Sequence, residues 1–377
     1  MEFRWDFLDS LDPDVSSKIL MSLDDPADIV RASSVSRTWR DFVITNGICK
    51  HLCLKLFPQL SGIARVVDVS IRQEKGADVG CSRFVEWEHL KKEHKVFVSL
   101  ARGLTSSEVG ECLSDAIGAS STDNYPEEGV HNTLESRDRI GRRASYWSSS
   151  GQSNLEVPER LTYKLISECC IITEINIQPF QAFFQANCPI YSAKVVRFRM
   201  GYRILSDDTE EDFADKEGPR FAEENFVWTY TTREFPMVQE NHLQNFKLPE
   251  PVLCLGGFLQ IELLGRVQKQ EMDGLFYICM AHVQVMGRSL FPVFGVESLE
   301  PSGRFTLMYN PHAQYFSPCH EDTEEISLRP EMVQRHVRGW EQILNMLRGT
   351  LGVEVYDSED EHHDSEDEEG FAEDFAA

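Results

Sequence analysis

The sequence predicts an α+β chain of several domains: a three-helix N-terminal unit, a helical linker, an antiparallel β-sandwich, then a C-terminal helix and a disordered acidic tail. Three observations predict it. Asp-Pro pairs twice open short apolar helical stripes within the first fifty residues. Alternating apolar runs, separated by turn residues and prolines, fill the middle of the chain. The stretch Tyr356–Ala377 carries eleven Asp/Glu and no Lys/Arg, a composition too polar and too charged to form a core. The boundaries read as 1–50 for the helical unit, 51–104 for the linker, 105–300 for the sandwich, 301–355 for a loop and helix, and 356–377 for the tail.

Composition narrows the function classes. The chain has 377 residues, 41% hydrophobic and 10% aromatic, enough for real cores. Its net charge is −25, and removing the tail still leaves −14. A body this acidic excludes a nucleic-acid partner, which needs a basic footprint. Arg139, Arg142 and Arg143 are expected to pair with nearby acids or face solvent. The start "MEFRWDFLDS" has no basic and then apolar leader pattern. No run approaches the roughly 18 apolar residues of a membrane span. The expectation is a soluble protein of the nucleus and/or cytoplasm, with no membrane partner. Its ten cysteines are then free thiols. "CKHLC", Cys49 to Cys53, lacks a second ligand pair at zinc spacing, and Ile48, Leu52 and Leu56 make it a core helix. His362 and His363 have no ordered partners for a metal. No metal and no cofactor is expected.

The N-terminal elements come in order. Asp12 caps a helix whose first-turn residue is Pro13, and Val15, Ile19, Leu20 and Leu23 form its stripe. Asp25 and Pro26 repeat the device before Ile29 and Val30. Val35, Trp39, Phe42 and Val43 line a third helix, which Asn46-Gly47 stops. A unit this small buries its apolar residues poorly alone, and a partner is the natural cover.

Leu11, Pro13, Val15, Ile19, Leu20 and Leu23, followed by Val35-Ser36-Arg37-Thr38-Trp39-Arg40, resemble the F-box motif over Phe7 to about Ile48. The family shows a leucine–proline start, an Ile-Leu helix, an acidic-proline turn and a "VS-x-x-W" third helix. Here Asp12 separates the leucine from the proline. The resemblance implies binding to the Skp-type adaptor and, through it, to the cullin and RING subunits of a ubiquitin ligase. It assigns adaptor binding to Leu11, Pro13, Val15, Ile19, Leu20, Leu23, Val35 and Trp39.

Ile48–Phe57 reads as a further helix ended by Pro58. "FVEWEHLKKEHKVFVSLARGL" reads as another, packing the helical unit onto the domain after it, with Lys91, Lys92 and Lys95 on its solvated face. The strands come next. Ile171, Ile175 and Ile177 lie on one face of "IITEINIQ". Val196, Phe198 and Met200 oppose Arg197 and Arg199. Phe226, Trp228 and Tyr230 share a face, as do Leu259, Ile261 and Leu263. "LFYICMAHVQVMG" is apolar on both faces, as a central strand is. Prolines 158, 179, 189, 236, 249 and 251 are read as falling between strands. Glu331–Leu351 reads as an amphipathic helix.

The order of an early "ASS", a "YW-S-S-x-G" corner, the isoleucine strand, a "Y-S-x-x-x-V" strand and a closing "V-x-V-x-G" resembles the galactose-binding-like jelly roll over about Ala119–Gly287. Discoidin-type modules and the Doc domain of the anaphase-promoting complex share that layout. F-box, sandwich and acidic end together resemble a plant F-box subgroup. Such jelly rolls often bind through loops at one end. The corresponding loops here are Asp123–Glu128, Trp147–Gln152 and Asp207–Arg220, with Asp123, Asn124, Tyr125, Gln152 and Asn154 as candidate contacts. "DDTEEDFADKEG" within the third loop reads as solvated. Trp147 is expected to be a buried plug, with Ser148–Gly151 making a turn.

No phosphate loop, HExxH or G-x-S-x-G is present, and no cysteine spacing fits a RING. The sequence therefore points to a non-catalytic bridge: an F-box substrate receptor holding the ligase by its helices and an unknown target protein by its sandwich. Two alternatives remain open. One is a carbohydrate-binding module using Trp147 with Gln152 and Asn154. The other is a scaffold acting outside degradation. In the tail, Ser358 and Ser365 each precede a glutamate by three residues, Glu361 and Glu368. Acidophilic kinases favour that setting. Intact-mass measurement of the protein from its native cells is expected to show added phosphate, and an unmodified mass contradicts it.

Overall fold

In the computed structural model, residues 6–314 are described, except 24, 70–81, 107, 141–142, 205–224 and 298–301. The loop Asp207–Arg220, the helix Glu331–Leu351, the acidic tail, Ser358 and Ser365 lie outside the described residues.

Helices α1 (Phe7–Ser10), α2 (Pro13–Met21), α3 (Pro26–Ala32), α4 (Arg37–Thr45) and α5 (Ile48–Leu56) open the chain. The expected caps form. The Asp12 carboxylate accepts from Asp14 N at 2.9 Å and that of Asp25 from Ala27 N at 2.8 Å, each just before its proline. Ser36 caps α4 by accepting from Trp39 N at 3.1 Å. Strand β1 (Ile63–Asp68) and the long helix α6 (Ser82–Thr105) come next. α5 buries Ile48, Cys49, Leu52 and Cys53; α6 buries Val96, Phe97, Leu100, Ala101 and Leu104 against the same core. Burial in that core raises the Cys49 and Cys53 thiols to about 12. Lys91, Lys92 and Lys95 are exposed, as expected of a solvated face.

The sandwich consists of two antiparallel sheets. One runs in the order β13 (Gln244–Leu255), β8 (Cys169–Gln181), β17 (Cys279–Ser289), β2 (Gly110–Glu111), with β6 (Trp147–Ser148) on β17 and β9 (Ile190–Tyr191) on β8. The other runs β11 (Phe226–Thr231), β10 (Ala193–Arg203), β14 (Phe258–Arg266), β7 (Glu159–Leu165), β3 (Leu113–Ala119), with β12 (Phe235–Pro236) on β10. Two small ribbons, β4 (Arg139–Ile140) with β5 (Arg143–Ala144) and β15 (Gln268–Lys269) with β16 (Phe276–Tyr277), edge the sandwich. Val196, Phe198, Met200, Leu259, Ile261 and Leu263 face Ile175, Ile177, Val283 and Val285 in one core. Arg197 and Arg199 point away and pair with Glu262 at 2.6 and 2.9 Å.

Strands β18 (Phe294–Glu297) and β19 (Phe305–Tyr309) form a third sheet in which β19 pairs in parallel with β1. This corrects two readings. The 51–104 segment contains a strand besides its helices, and 305–309 is a strand rather than loop. Their pairing joins residues far apart in sequence, which local periodicity does not register.

Bulges correct two further readings. At Thr173 both neighbours of β8 shift register, Glu174 facing Met286 and Lys247 while Ile172 faces Gly287 and Val252. The bulge inverts the alternation. Cys170 and Ile172 therefore join Ile175 and Ile177 in the sandwich core, while Cys169 and Ile171 turn with Leu253 and Leu255 into the helical core. Gly287 permits this approach, since a Cβ there would lie 2.1 Å from Ile171 O. Pro249 and Pro251 occupy the opposing irregularity within β13, and Pro179 and Pro236 also lie inside strands rather than between them. At Thr229 a second bulge leaves Tyr230 opposite Met200 on the core side and Trp228 opposite Gly201 on the other, so Phe226, Trp228 and Tyr230 do not share a face.

No helix among the described residues is long and apolar enough to cross a membrane. The helical unit and the sandwich share a buried cluster, so Ile171→Ala is expected to destabilise both, by about 2–5 kcal/mol. Hydrogen exchange at amides of both units is the readout. Faster exchange confined to one of them contradicts the shared core.

Candidate functional site

The helical unit divides the eight expected adaptor-binding residues into two groups. Leu20 is 2% exposed and belongs to the core, with Leu23 packed against it. Trp39 is half-buried: its ring meets Phe7 edge-on at 5.0 Å, and its indole N–H donates to the Asp6 carboxylate at 2.9 Å. These three hold the unit together. Leu11, Val15, Ile19 and Val35 are exposed at 36, 44, 40 and 64%, and Pro13 is exposed beside them in sequence. Val15 and Ile19 are one helical turn apart on α2, outside the core that Leu20 enters. Asp12, the extra residue between Leu11 and Pro13, is the cap that starts α2.

At one end of the sandwich, loops form a second feature. Trp147 is fully buried, as expected, and its indole N–H donates to Ser121 O at 3.1 Å. Ser148–Gly151 is not a turn. It runs extended along 276–279, with Ser148 paired to Cys279 and Gln152 bridged to Phe276. Beneath it Arg266 is buried, and its guanidinium donates to Ser149 Oγ at 2.8 Å, Phe276 O at 3.0 Å, Ser150 O at 3.1 Å, and Glu159. Glu159 in turn accepts from Ser120 and from Ser121 Oγ at 2.9 Å. Serine-rich text that reads as a turn is thus tied to one buried ion pair.

The sandwich end held this way forms a half-open cavity of about 150 Å³. Asp123 and Asn124 line it, together with Glu128, Tyr146, Phe180, Phe184, Gln185, Tyr191 and Tyr277; Cys279 lies at its base. Tyr125 is exposed and outside it, Gln152 is held by the backbone bridge, and Asn154 accepts from Glu156 N at 3.0 Å. The structure therefore brings together two of the five expected contacts. Four of the missed residues, Phe180, Phe184, Gln185 and Tyr191, come from "PFQAFFQANCPIY", where the paired aromatics Phe183 and Phe184 between two strands were the available signal.

Tyr146 stacks on Phe180 at 3.9 Å, and its hydroxyl donates to Glu128 Oε1 at 2.5 Å. Tyr191 donates to Gln185 at 2.6 Å and Tyr277 to Asp273 at 2.5 Å. Burial raises the Asp123 carboxyl, with Asp273 adding to the shift. Burial also raises that of Glu128, with Asp123 adding to it, against the lowering hydrogen bonds from Tyr146 and Asn124. Burial first, and then the acceptor carboxylates, push Tyr146 and Tyr277 upward. Burial holds the Cys279 thiol at about 12, which makes it a poor nucleophile.

Removing the buried cation tests this construction. Arg266→Met leaves the Glu159 carboxylate uncompensated, and is expected to cost about 3–5 kcal/mol of stability. A denaturation midpoint equal to that of the wild type contradicts it.

Comparison with known proteins bears on the helical unit and on the chain as a whole. The family model F-box-like matches residues 8–55. Over 375 residues the chain is 50% identical to the Arabidopsis thaliana F-box protein At4g00755, covering 96% of this chain and 99% of that protein. Among solved structures, the family 32 carbohydrate-binding module of C. perfringens NanJ, in complex with galactose, is 12% identical. It covers 47% of this chain and 98% of its own, with a TM-score of 0.30. A fucolectin from striped bass (Morone saxatilis) serum is 12% identical, covers 51% of this chain and 52% of its own, and has a TM-score of 0.32. At these scores the structural likenesses carry no argument, and the sandwich rests on the strand pairings described above. The identity along almost the whole Arabidopsis relative, with the match over the capped N-terminal helices, places the chain in the F-box protein family.

Proposed function

We propose that this F-box protein is a substrate receptor of an SCF-type cullin ubiquitin ligase. In this reading the F-box holds the Skp-type adaptor, which links it to the cullin and RING subunits. The sandwich holds a target protein, which is ubiquitinated and degraded by the proteasome. The chain acts without catalysing: it raises the concentration of target lysines near the ubiquitin-loaded enzyme. Cys49, Cys53, Cys254 and Cys279 are buried thiols raised to about 12, which suits core packing and not thioester chemistry. The proposed site of action is the nucleus, the cytoplasm or both.

One observation carries the reading. Within an F-box-like segment, Val15 and Ile19 on α2, and Leu11 and Val35 between helices, remain exposed although the segment contributes to a full core. Apolar side chains left outside a small, well-capped unit mark an interface.

The placement of Leu20 decides how to test this. Leu20→Ala is expected to lower folding stability by about 2–5 kcal/mol, because it opens the core. The informative variant is Val15→Ser with Ile19→Ser and Val35→Ser. It is expected to keep the melting temperature and to weaken binding of a purified Skp-type adaptor by about tenfold or more. Undiminished adaptor binding by the folded triple variant overturns the proposal.

A further inference from the structure

The cavity at the sandwich end has an unusual balance of chemistry. Its walls are aromatic, with Tyr146, Phe184 and Tyr277 among them. Its charged lining is the carboxylates of Asp123 and Glu128, and no Lys, Arg or His lines it among the described residues. The tyrosine hydroxyls donate away their protons, Tyr146 to Glu128, Tyr191 to Gln185 and Tyr277 to Asp273. Acceptors therefore outnumber donors, with the side-chain amides of Asn124, Gln185 and Gln270 as the neutral donors, while the Ser148 hydroxyl donates to Ser149 O. Burial disfavours the ionised form of both carboxylates, and a neighbouring negative charge adds to it, Asp123 for Glu128 and Asp273 for Asp123. A cation entering the cavity removes that penalty and gains ring faces besides.

Among cations, a guanidinium fits this lining better than an ammonium. It is flat, stacks on aromatic rings, sheds water more readily, and spreads forked N–H donors over several acceptors. The same aromatic cluster already shows the contact: the Arg139 guanidinium sits 3.6 Å from the centroid of the Phe183 ring. The loops that supply the walls also expose Tyr125 (46%), Phe184 (57%) and Met272 (94%), apolar groups suited to residues flanking an inserted side chain.

We propose that this cavity takes an arginine side chain of the target protein, paired with Asp123 and Glu128 and stacked among the aromatic walls. The inference rests on the reading of the sandwich as the target-binding end and names the chemistry that end recognises. The chain's net charge of −25 favours the approach of a basic segment.

The test uses the full-length chain and short random peptides displayed on phage. Selection is made on the wild type, with Asp123→Asn/Glu128→Gln as the counter-selection. Both substitutions keep the shape, and glutamine still accepts from Tyr146, so the melting temperature is expected to hold. Selected peptides are expected to share one arginine. Replacing it by citrulline, which keeps the shape without the charge, is expected to weaken binding by about tenfold or more, and lysine is expected to weaken it as well. No enrichment over the double variant, selected peptides without a shared arginine, or lysine binding as well as arginine overturns the inference. So does a glycan array bound by the wild type and not by the variant, which assigns the cavity to a sugar. A trap in cells separates this from failure of the receptor reading. If the Val15/Ile19/Val35 variant captures the same proteins with and without the Asp123/Glu128 changes, the arginine inference falls and the receptor reading stands. If it captures none in either form, both fall.

Discussion

The buried pair Arg266–Glu159 is the interaction on which the functional end of the sandwich depends. A charged pair this deep carries a large desolvation cost, tolerable only when the surrounding hydrogen bonds are complete. Here the guanidinium reaches Ser149, Ser150 and Phe276, and Glu159 gathers Ser120 and Ser121. Segments from three parts of the chain converge on one ion pair. That explains how loops with almost no regular structure hold a defined cavity, while Trp147 is buried in the sandwich core.

A second constraint joins the sandwich to the helices. The bulge at Thr173 turns Cys169 and Ile171 out of the sandwich and into the helical core. The outer face of one sheet thereby becomes part of the floor beneath the F-box, α6 and the β1–β19–β18 sheet. The F-box is built into the same body as the sandwich, not tethered to it. Under the receptor proposal, a target held by the sandwich would sit at a set distance from the F-box helices, which would favour lysines already within reach of the transferred ubiquitin.

Local chemistry was the legible part of the sequence. Asp12-Pro13 and Asp25-Pro26 each start a helix, because a cap and a first-turn proline act on their nearest neighbours alone. Trp147 could be read as a plug because a large ring beside a turn-rich run and ahead of strong strands has a core to enter. The face of each apolar residue was less legible. Val15, Ile19 and Leu20 read as one stripe, yet Leu20 packs inward and the others outward, since the width of a small core is set by tertiary contacts. The bulges at Thr173 and Thr229 invert alternation without a composition signal. The β1–β19 pairing and the cavity's aromatic wall arise from residues distant in sequence, and only the Phe183-Phe184 pair hinted at the latter.

The receptor proposal is that this chain joins a ligase adaptor to a protein that is then destroyed. Half-lives test it most directly. Pulse-labelled proteomes can be compared between cells expressing the wild-type chain and cells expressing the folded Val15/Ile19/Val35 variant. The account predicts a small set of proteins that bind both forms and live longer only with the variant. Bound proteins whose half-lives are the same in the two cell lines would contradict it.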